Sequence, residues 1–372
     1  MLSAAQNEVD QSERFHSERF HSERFLGLQY LRGIAALMVA FSHVLHETKI
    51  FSGDNVFQSN YNFFPWMSGV DLFFVISGFV MVYSSRNLFE ERGSWHIFLR
   101  KRIARIVPLY WLATTLLIMM FFVLPSSLNF IPNTQQVIAS YAFFPMIGQD
   151  ENIQPIFKLG WTLNYEMFFY MLFACILAFH WRVGLLVLAC VMALLVITGH
   201  FFSLNDALTF WTRPILLEFL GGVGIGYLWL CGVKISRAAQ FVLFACGIMA
   251  LLLNGAHAPS RNGWEVLILL GMPCMLIVAA SVLGQGATDE SSQGIISRWG
   301  VYLGDASYAL YLFHPFALKG LNLFLQKTHL NNALSQDFFI LLGLSCSIIL
   351  AIIIYRFVEK PCVVFARRLL RV

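Results

Sequence analysis

Apolar runs of about 17 to 26 residues recur along the chain, separated by short polar or charged stretches. Runs of that length match the hydrocarbon thickness of a bilayer rather than the core helices of a soluble domain. They predict ten membrane helices, at residues 28–46, 66–84, 104–124, 161–179, 183–199, 209–230, 238–256, 264–283, 301–326 and 338–358. Lipid offers a backbone no hydrogen-bond partner, so each run is expected to satisfy its own peptide groups as a helix. The fold expected is an all-α integral membrane protein, a bundle of about ten transmembrane helices. Seven of the nine tryptophans (66, 161, 181, 211, 229, 264 and 299) fall at or near the ends of these windows, as an aromatic belt would place them.

Composition agrees: 58% of the chain is hydrophobic and 12% charged, which excludes an ordinary soluble domain. Alternating the loops between two sides separates the cations. Of 25 Lys and Arg, four (Lys49, Lys158, Arg261 and Lys327) fall on one side, three (Arg32, Arg213 and Lys319) within windows, and eighteen on the other side. The positive-inside rule therefore predicts cytoplasmic N- and C-termini. Cations gathered at span ends form no single basic face, so the net charge of +4 does not argue for nucleic acid. The seven cysteines lie in or beside apolar runs with no CxxC pair, and indicate neither disulfides nor a zinc site.

Three segments are expected. Residues 1–26 carry the repeat SERF-HSERF-HSERF and read as a solvated cytoplasmic tail, in which His16 and His21 lack the further ligands a metal needs. Residues 27–361 hold the spans, and residues 362–372 form a basic cytoplasmic C-terminal tail. The longest outer connection, 125–160, is punctuated by Pro125, Pro132, Pro145 and Pro155. It either dips into the membrane or covers a site.

Polar residues inside apolar windows carry the chemistry. Arg32 and His43 are eleven positions apart in the first window, which at 100° per residue returns to within about 20° of the same direction, about 16 Å further along the axis. A guanidinium near the bilayer centre costs about 2.5 to 3.5 kcal/mol even on lenient scales, so this stripe is expected to face protein or a water-filled cavity. Counting from span ends puts Asp71 and Glu166 near the depth of His43. A carboxylate beside a neutral imidazole is the composition of a general base that can deprotonate a hydroxyl near pH 7. The bland alternative is that these groups only pair with one another or with unwound backbone.

Arg102 and Arg105, at i and i+3 in RKRIARIVPLYW, share a helix face. They suit either phosphate oxygens, which guanidinium forks match in pairs, or lipid headgroups. Pro108 withdraws a donor one turn further on, predicting a kink and a shaped inner mouth. In the ninth window, GDASYALYLFHPF puts His314 near mid-depth and Asp305, Ser307 and Tyr308 near the cytoplasmic end. Asp305, Tyr308 and His314 are accessory candidates, set against simple polar packing around Pro315. Arg213 and Glu218 read as a structural or acceptor-binding pair. Gly222 and Gly226 offer a small-residue face for internal packing or dimerisation, so oligomeric state stays open.

Six segments in order, LQYLRGIAALMVAFSHV, GVDLFFVISGFVM, RKRIARIVPLYWL, GWTLNYEMFFY, DASYALYLFHP and the terminal VEKP, resemble the membrane-bound acyltransferase-3 family, in the branch of exopolysaccharide and O-antigen acetyltransferases. The resemblance spans about residues 27 to 361. It implies transfer of an acyl group, commonly acetyl, from cytoplasmic acyl-coenzyme A to a sugar hydroxyl of a surface polysaccharide or lipid-linked precursor. It also implies a multi-pass protein of the bacterial cytoplasmic membrane, with acyl-coenzyme A as substrate and no bound cofactor. The family's paired arginine and histidine fall on Arg32 and His43, its double-arginine motif on Arg102 and Arg105, and its acidic residue on Glu166. On this reading Arg32, Arg102 and Arg105 hold the donor, and His43, oriented by Asp71 or Glu166, activates the acceptor. Direct attack and an acyl-histidine relay both remain open. From another class, a proton-coupled glycolipid carrier would use Asp71, Glu166, Asp305 and His314 as its relay.

Overall fold

A computed structural model describes residues 25–52, 61, 63–123, 133–148, 152–255, 261–284, 294–328 and 335–372. The HSERF repeat lies outside the described residues, as does part of the 125–160 connection. The fold is 80% helix, with no β-strand among the described residues. In chain order the helices are α1 (Leu26–Ser52), α2 (Ser68–Ser85), α3 (Ser94–Val123), the short α4 (Thr134–Tyr141), α5 (Trp161–Ile176), α6 (Trp181–Phe201), α7 (Asp206–Trp211), α8 (Leu216–Leu230), α9 (Arg237–Asn254), α10 (Trp264–Val282), α11 (Ile295–Asp305), α12 (Ser307–Lys327), α13 (Gln336–Ile354) and α14 (Lys360–Leu369).

Each of the ten predicted windows holds a helix, and seven helical stretches among the described residues are long and apolar enough to cross a membrane. Where pattern and structure differ, the backbone explains it. The 209–230 window breaks between α7 and α8, where Pro214 cannot donate to the ladder. The 301–326 window breaks at Ala306, so α12 starts afresh at Ser307. By contrast Pro108 and Pro315 lie inside α3 and α12 without ending them. Residues 362–369, expected as tail, are helical: a π-helical turn, Tyr355–Glu359, joins α13 to α14.

Two features set the register of the bundle. First, α2 crosses α8 at near backbone contact. A Cβ at Gly78 would meet the Phe219 carbonyl oxygen, and one at Gly222 the Val75 carbonyl oxygen. Gly226 packs in the same way on Val82, 2.7 Å from where its Cβ would stand. The small-residue face is therefore used inside the chain, and filling it would cost on the order of 1–3 kcal/mol in overpacking. Second, α1 and α12 run side by side in the same sense. Arg32 meets Ser307, His43 meets His314 and Glu47 meets Asn322, in rising order on both helices. The end of the bundle where α1 begins is called the basic end below, and the opposite one the far end.

Candidate functional site: a cationic cavity and a histidine pair

Five of the nine residues singled out from the sequence surround one cavity of about 140 Å³: Arg32, Arg102, Arg105, Glu166 and Tyr308. The spacing on each helix brings them there. Arg102, Arg105 and Ile106 present one face of α3, while Thr162, Glu166 and Tyr170 follow one another at i, i+4 and i+8 on α5. The second helix contributes Ser77, whose hydroxyl donates to Glu166 Oε1 at 2.6 Å.

Each arginine is tethered by part of its fork. Arg32 donates from Nη2 to Ser307 Oγ at 3.2 Å and from Nη1 to Gln29 Oε1 at 3.4 Å. Arg102 Nη2 donates to Ser84 Oγ at 2.7 Å, its guanidinium lies 5.3 Å from the centre of the Phe98 ring, and its buried Nε has no partner. Arg105 Nη1 stands 3.8 Å from Glu359 Oε1, a carboxylate 2% exposed and otherwise without a hydrogen-bond partner. Three guanidiniums against one lining carboxylate make the cavity cationic, with donors left over for an anion. Away from the arginines the lining turns apolar, with Val70, Phe73, Phe74 and Leu163.

His43 and His314 stand apart from this cavity. Their rings pack with centroids 4.9 Å apart. His43 Nδ1 bonds the Val39 carbonyl at 2.9 Å and His314 Nδ1 the Leu310 carbonyl at 3.0 Å. A carbonyl oxygen only accepts, so each neutral ring carries its proton on Nδ1 and keeps a lone pair on Nε2. His314 is fully buried, and its Nε2 has no partner.

The expected triad of His43, Asp71 and Glu166 at one depth is not formed. Trp66, just before α2, packs edge-on against Phe41 with centroids 4.6 Å apart, and Gly69 rests on the Ala35 carbonyl. Because α2 runs against α1, Asp71 lies about 10 to 15 Å nearer the basic end than His43, and Ser77, with Glu166 on it, about 9 Å further still. Counting residues from span ends assumed that every helix starts at one level, and α2 starts beside Phe41, part-way along α1. Neither carboxylate orients His43. Asp71 is instead fully buried and takes a 2.7 Å ion pair from Arg261, in the loop between α9 and α10. Burial disfavours the charge on Arg261, but Asp71 and Glu218 outweigh it and hold its pKa above the ordinary arginine value.

Two further expectations change. Arg213 and Glu218 are not paired: Arg213 lies over the Phe210 ring at the α7–α8 break, while Glu218 is buried against Gly271. Asp305 ends α11 and does not line the cavity. Ser77, Arg261 and Glu359 went unassigned by the sequence. For Glu359 there was a signal, since it sits in the VEKP segment; Arg261 was counted only as an outer-loop charge.

A family described as an acyltransferase domain matches residues 25–356, nearly the whole described bundle. The chain belongs to the acyltransferase-3 family. A relative in that family, the exopolysaccharide production protein ExoZ of Rhizobium meliloti (strain 1021), is 34% identical over 274 residues, covering 70% of this chain and 80% of the relative. No solved structure matches the chain. The acyltransferase-3 assignment and the apolar helices together make this a multi-pass membrane acyltransferase.

Proposed function

We propose that this acyltransferase moves an acyl group, most simply acetyl, from cytoplasmic acyl-coenzyme A to a sugar hydroxyl of a surface polysaccharide or its lipid-linked precursor, in a bacterial cytoplasmic membrane. The observation that carries the reading is the convergence of Arg32, Arg102 and Arg105 on one cavity at the end of the bundle where cations gather. Phosphates of the donor bind at Arg102 and Arg105, and the acyl-bearing arm extends past Arg32 toward the histidines. The separation of about 16 Å between Arg32 and His43 suits such an arm. ExoZ supports the acceptor class through its role in exopolysaccharide production.

In this reading His43 is the general base. Its Nδ1 proton is committed to Val39, so Nε2 can take the acceptor's hydroxyl proton as the oxygen attacks the thioester carbonyl. Arg32, tethered to Ser307 and Gln29 at the cavity, holds the donor's arm there. With neither Asp71 nor Glu166 beside His43, the ring packed against it is His314, whose free Nε2 can share the proton. The carrier alternative needs proton acceptors linked in a chain, and Asp71, bound to Arg261, and Glu166, bonded to Ser77, are not in line with the histidines.

The test is transfer of label from radiolabelled acetyl-coenzyme A to cell-surface polysaccharide in membranes that carry the chain. Label on polysaccharide that appears only with the protein is the expected outcome. Membranes in which the protein moves glycolipid across the bilayer on a proton gradient but transfers no label would overturn the reading in favour of the carrier.

A further inference from the structure

The cavity and the histidine pair lie on one continuous stripe, and something separates them. On α12 the residues Ser307, Tyr308 and Tyr311 line the cavity, whereas His314, the next residue along that face, does not. His314 follows Tyr311 by three residue steps, about 4.5 Å along the axis. Tyr311 therefore forms the last wall of the cavity before the histidines.

That wall is held shut by an unusual arrangement of hydrogen bonds. The Tyr311 hydroxyl donates to the Leu159 carbonyl at 3.1 Å and lies 3.0 Å from Thr162 Oγ1. Thr162 itself donates to the same carbonyl at 3.1 Å. Leu159 belongs to a single 3-10 turn, Lys158–Gly160, which leads into α5, so two hydroxyls from different helices converge on one loop carbonyl. Phe73 from α2 backs the tyrosine edge-on, with ring centroids 6.0 Å apart. The ring is 6% exposed, and of the hydroxyl-bearing residues of α12 that line the cavity Tyr311 is the nearest to His314 along the helix.

We propose that Tyr311 decides whether the acyl group passes to a sugar or to water, an inference that rests on the donor and base assignments above. The chemistry demands such a residue. In transfer, the acceptor hydroxyl gives its proton to His43, its oxygen bonds the acyl carbon, the carbon–sulfur bond breaks, and the proton returns to the coenzyme A thiolate. In hydrolysis, water follows the same course and yields a free carboxylic acid and the thiol. A base that can activate a sugar hydroxyl activates water as readily, so discrimination has to come from keeping the thioester and the base apart until the acceptor arrives. With its hydroxyl latched to Leu159, Tyr311 is that partition, and an acceptor docked against the histidines displaces it.

The test compares two readouts on the full chain. Acceptor-free release of coenzyme A thiol is measured with acetyl-coenzyme A and purified protein in lipid nanodiscs, and label transfer is measured in membranes of polysaccharide-producing cells. Tyr311→Ala is expected to raise acceptor-free thiol release at least tenfold and Tyr311→Phe severalfold, while transfer falls by no more than severalfold. Adding His43→Ala to Tyr311→Ala is expected to abolish the excess hydrolysis. Hydrolysis that stays at the wild-type rate in Tyr311→Ala overturns the proposal, provided the variant keeps the wild-type elution profile and melting temperature. Should Tyr311→Ala not fold, Tyr311→Phe and the isosteric Thr162→Val decide it, each removing one latch hydroxyl, and wild-type ratios of hydrolysis to transfer in both overturn it. A wild type that moves no label overturns the donor reading and the partition with it, a result recognisable because the parent protein, not the variant, is silent.

Discussion

The cationic cavity and the histidine pair are both polar sites set in apolar surroundings, but they are built on opposite plans. Around the cavity, charges stand beside empty volume, each guanidinium fixed by one or two bonds with donors to spare. At the histidines there is close packing and no net charge, with both rings tied to their own helix and lone pairs turned outward. Three guanidiniums side by side repel one another, and an anion that takes their remaining donors relieves that repulsion. A neutral imidazole with a lone pair on Nε2 is ready to take a proton. On the assignments proposed above, the difference teaches that the donor side is preformed and the acceptor side is completed by the acceptor.

Substitutions should separate the two regions. The largest effect is expected at the base: His43→Ala should lower transfer by about 10² to 10⁴ while leaving acyl-coenzyme A binding to the membrane-embedded protein intact. Loss of donor binding in that variant, measured by equilibrium dialysis, would merge the two sites and break the comparison. Next, Arg102→Ala and Arg105→Ala should each weaken donor affinity by about 10- to 100-fold, the loss of a charged hydrogen bond worth about 1.5 to 3 kcal/mol. Unchanged affinity would make these arginines a headgroup anchor. The smallest effect is expected at Glu359, which touches Arg105 and not the cavity. Glu359→Gln should raise KM for acyl-coenzyme A about threefold to tenfold, short of the hundredfold that a 1 Å misplacement can produce, with kcat near wild type. A fall in kcat with KM constant would show that Glu359 acts on the chemistry instead.

Much of this was legible in the sequence because it depends on period and length alone. Apolar windows located every major helix, and the eleven-residue step from Arg32 to His43 correctly put both on the face that α12 covers. The i, i+3 arginines of α3 likewise share the cavity. What was not legible depends on where helices start relative to one another. Nothing in the residues around Asp71 says that α2 begins at the level of Phe41, so its partner could not be read as Arg261, 190 positions away. The same limit hid the bond from Ser77 to Glu166, and it turned an expected Arg213–Glu218 pair into two separate contacts. Glycines were ambiguous for a related reason: Gly222 could have faced another copy, and only the crossing with α2 shows what fills it.

The restart of the chain at Ser307 has an electrical consequence. A helix of 21 residues that begins beside Arg32 turns the positive end of its aligned peptide dipoles toward the cavity and its negative end toward the far side of the membrane. On the assignments proposed above, acyl transfer creates an anion, the departing thiolate, toward the first end. The dipole of the first turn of α12 is oriented to favour that charge, whichever acyl group and whichever sugar are exchanged.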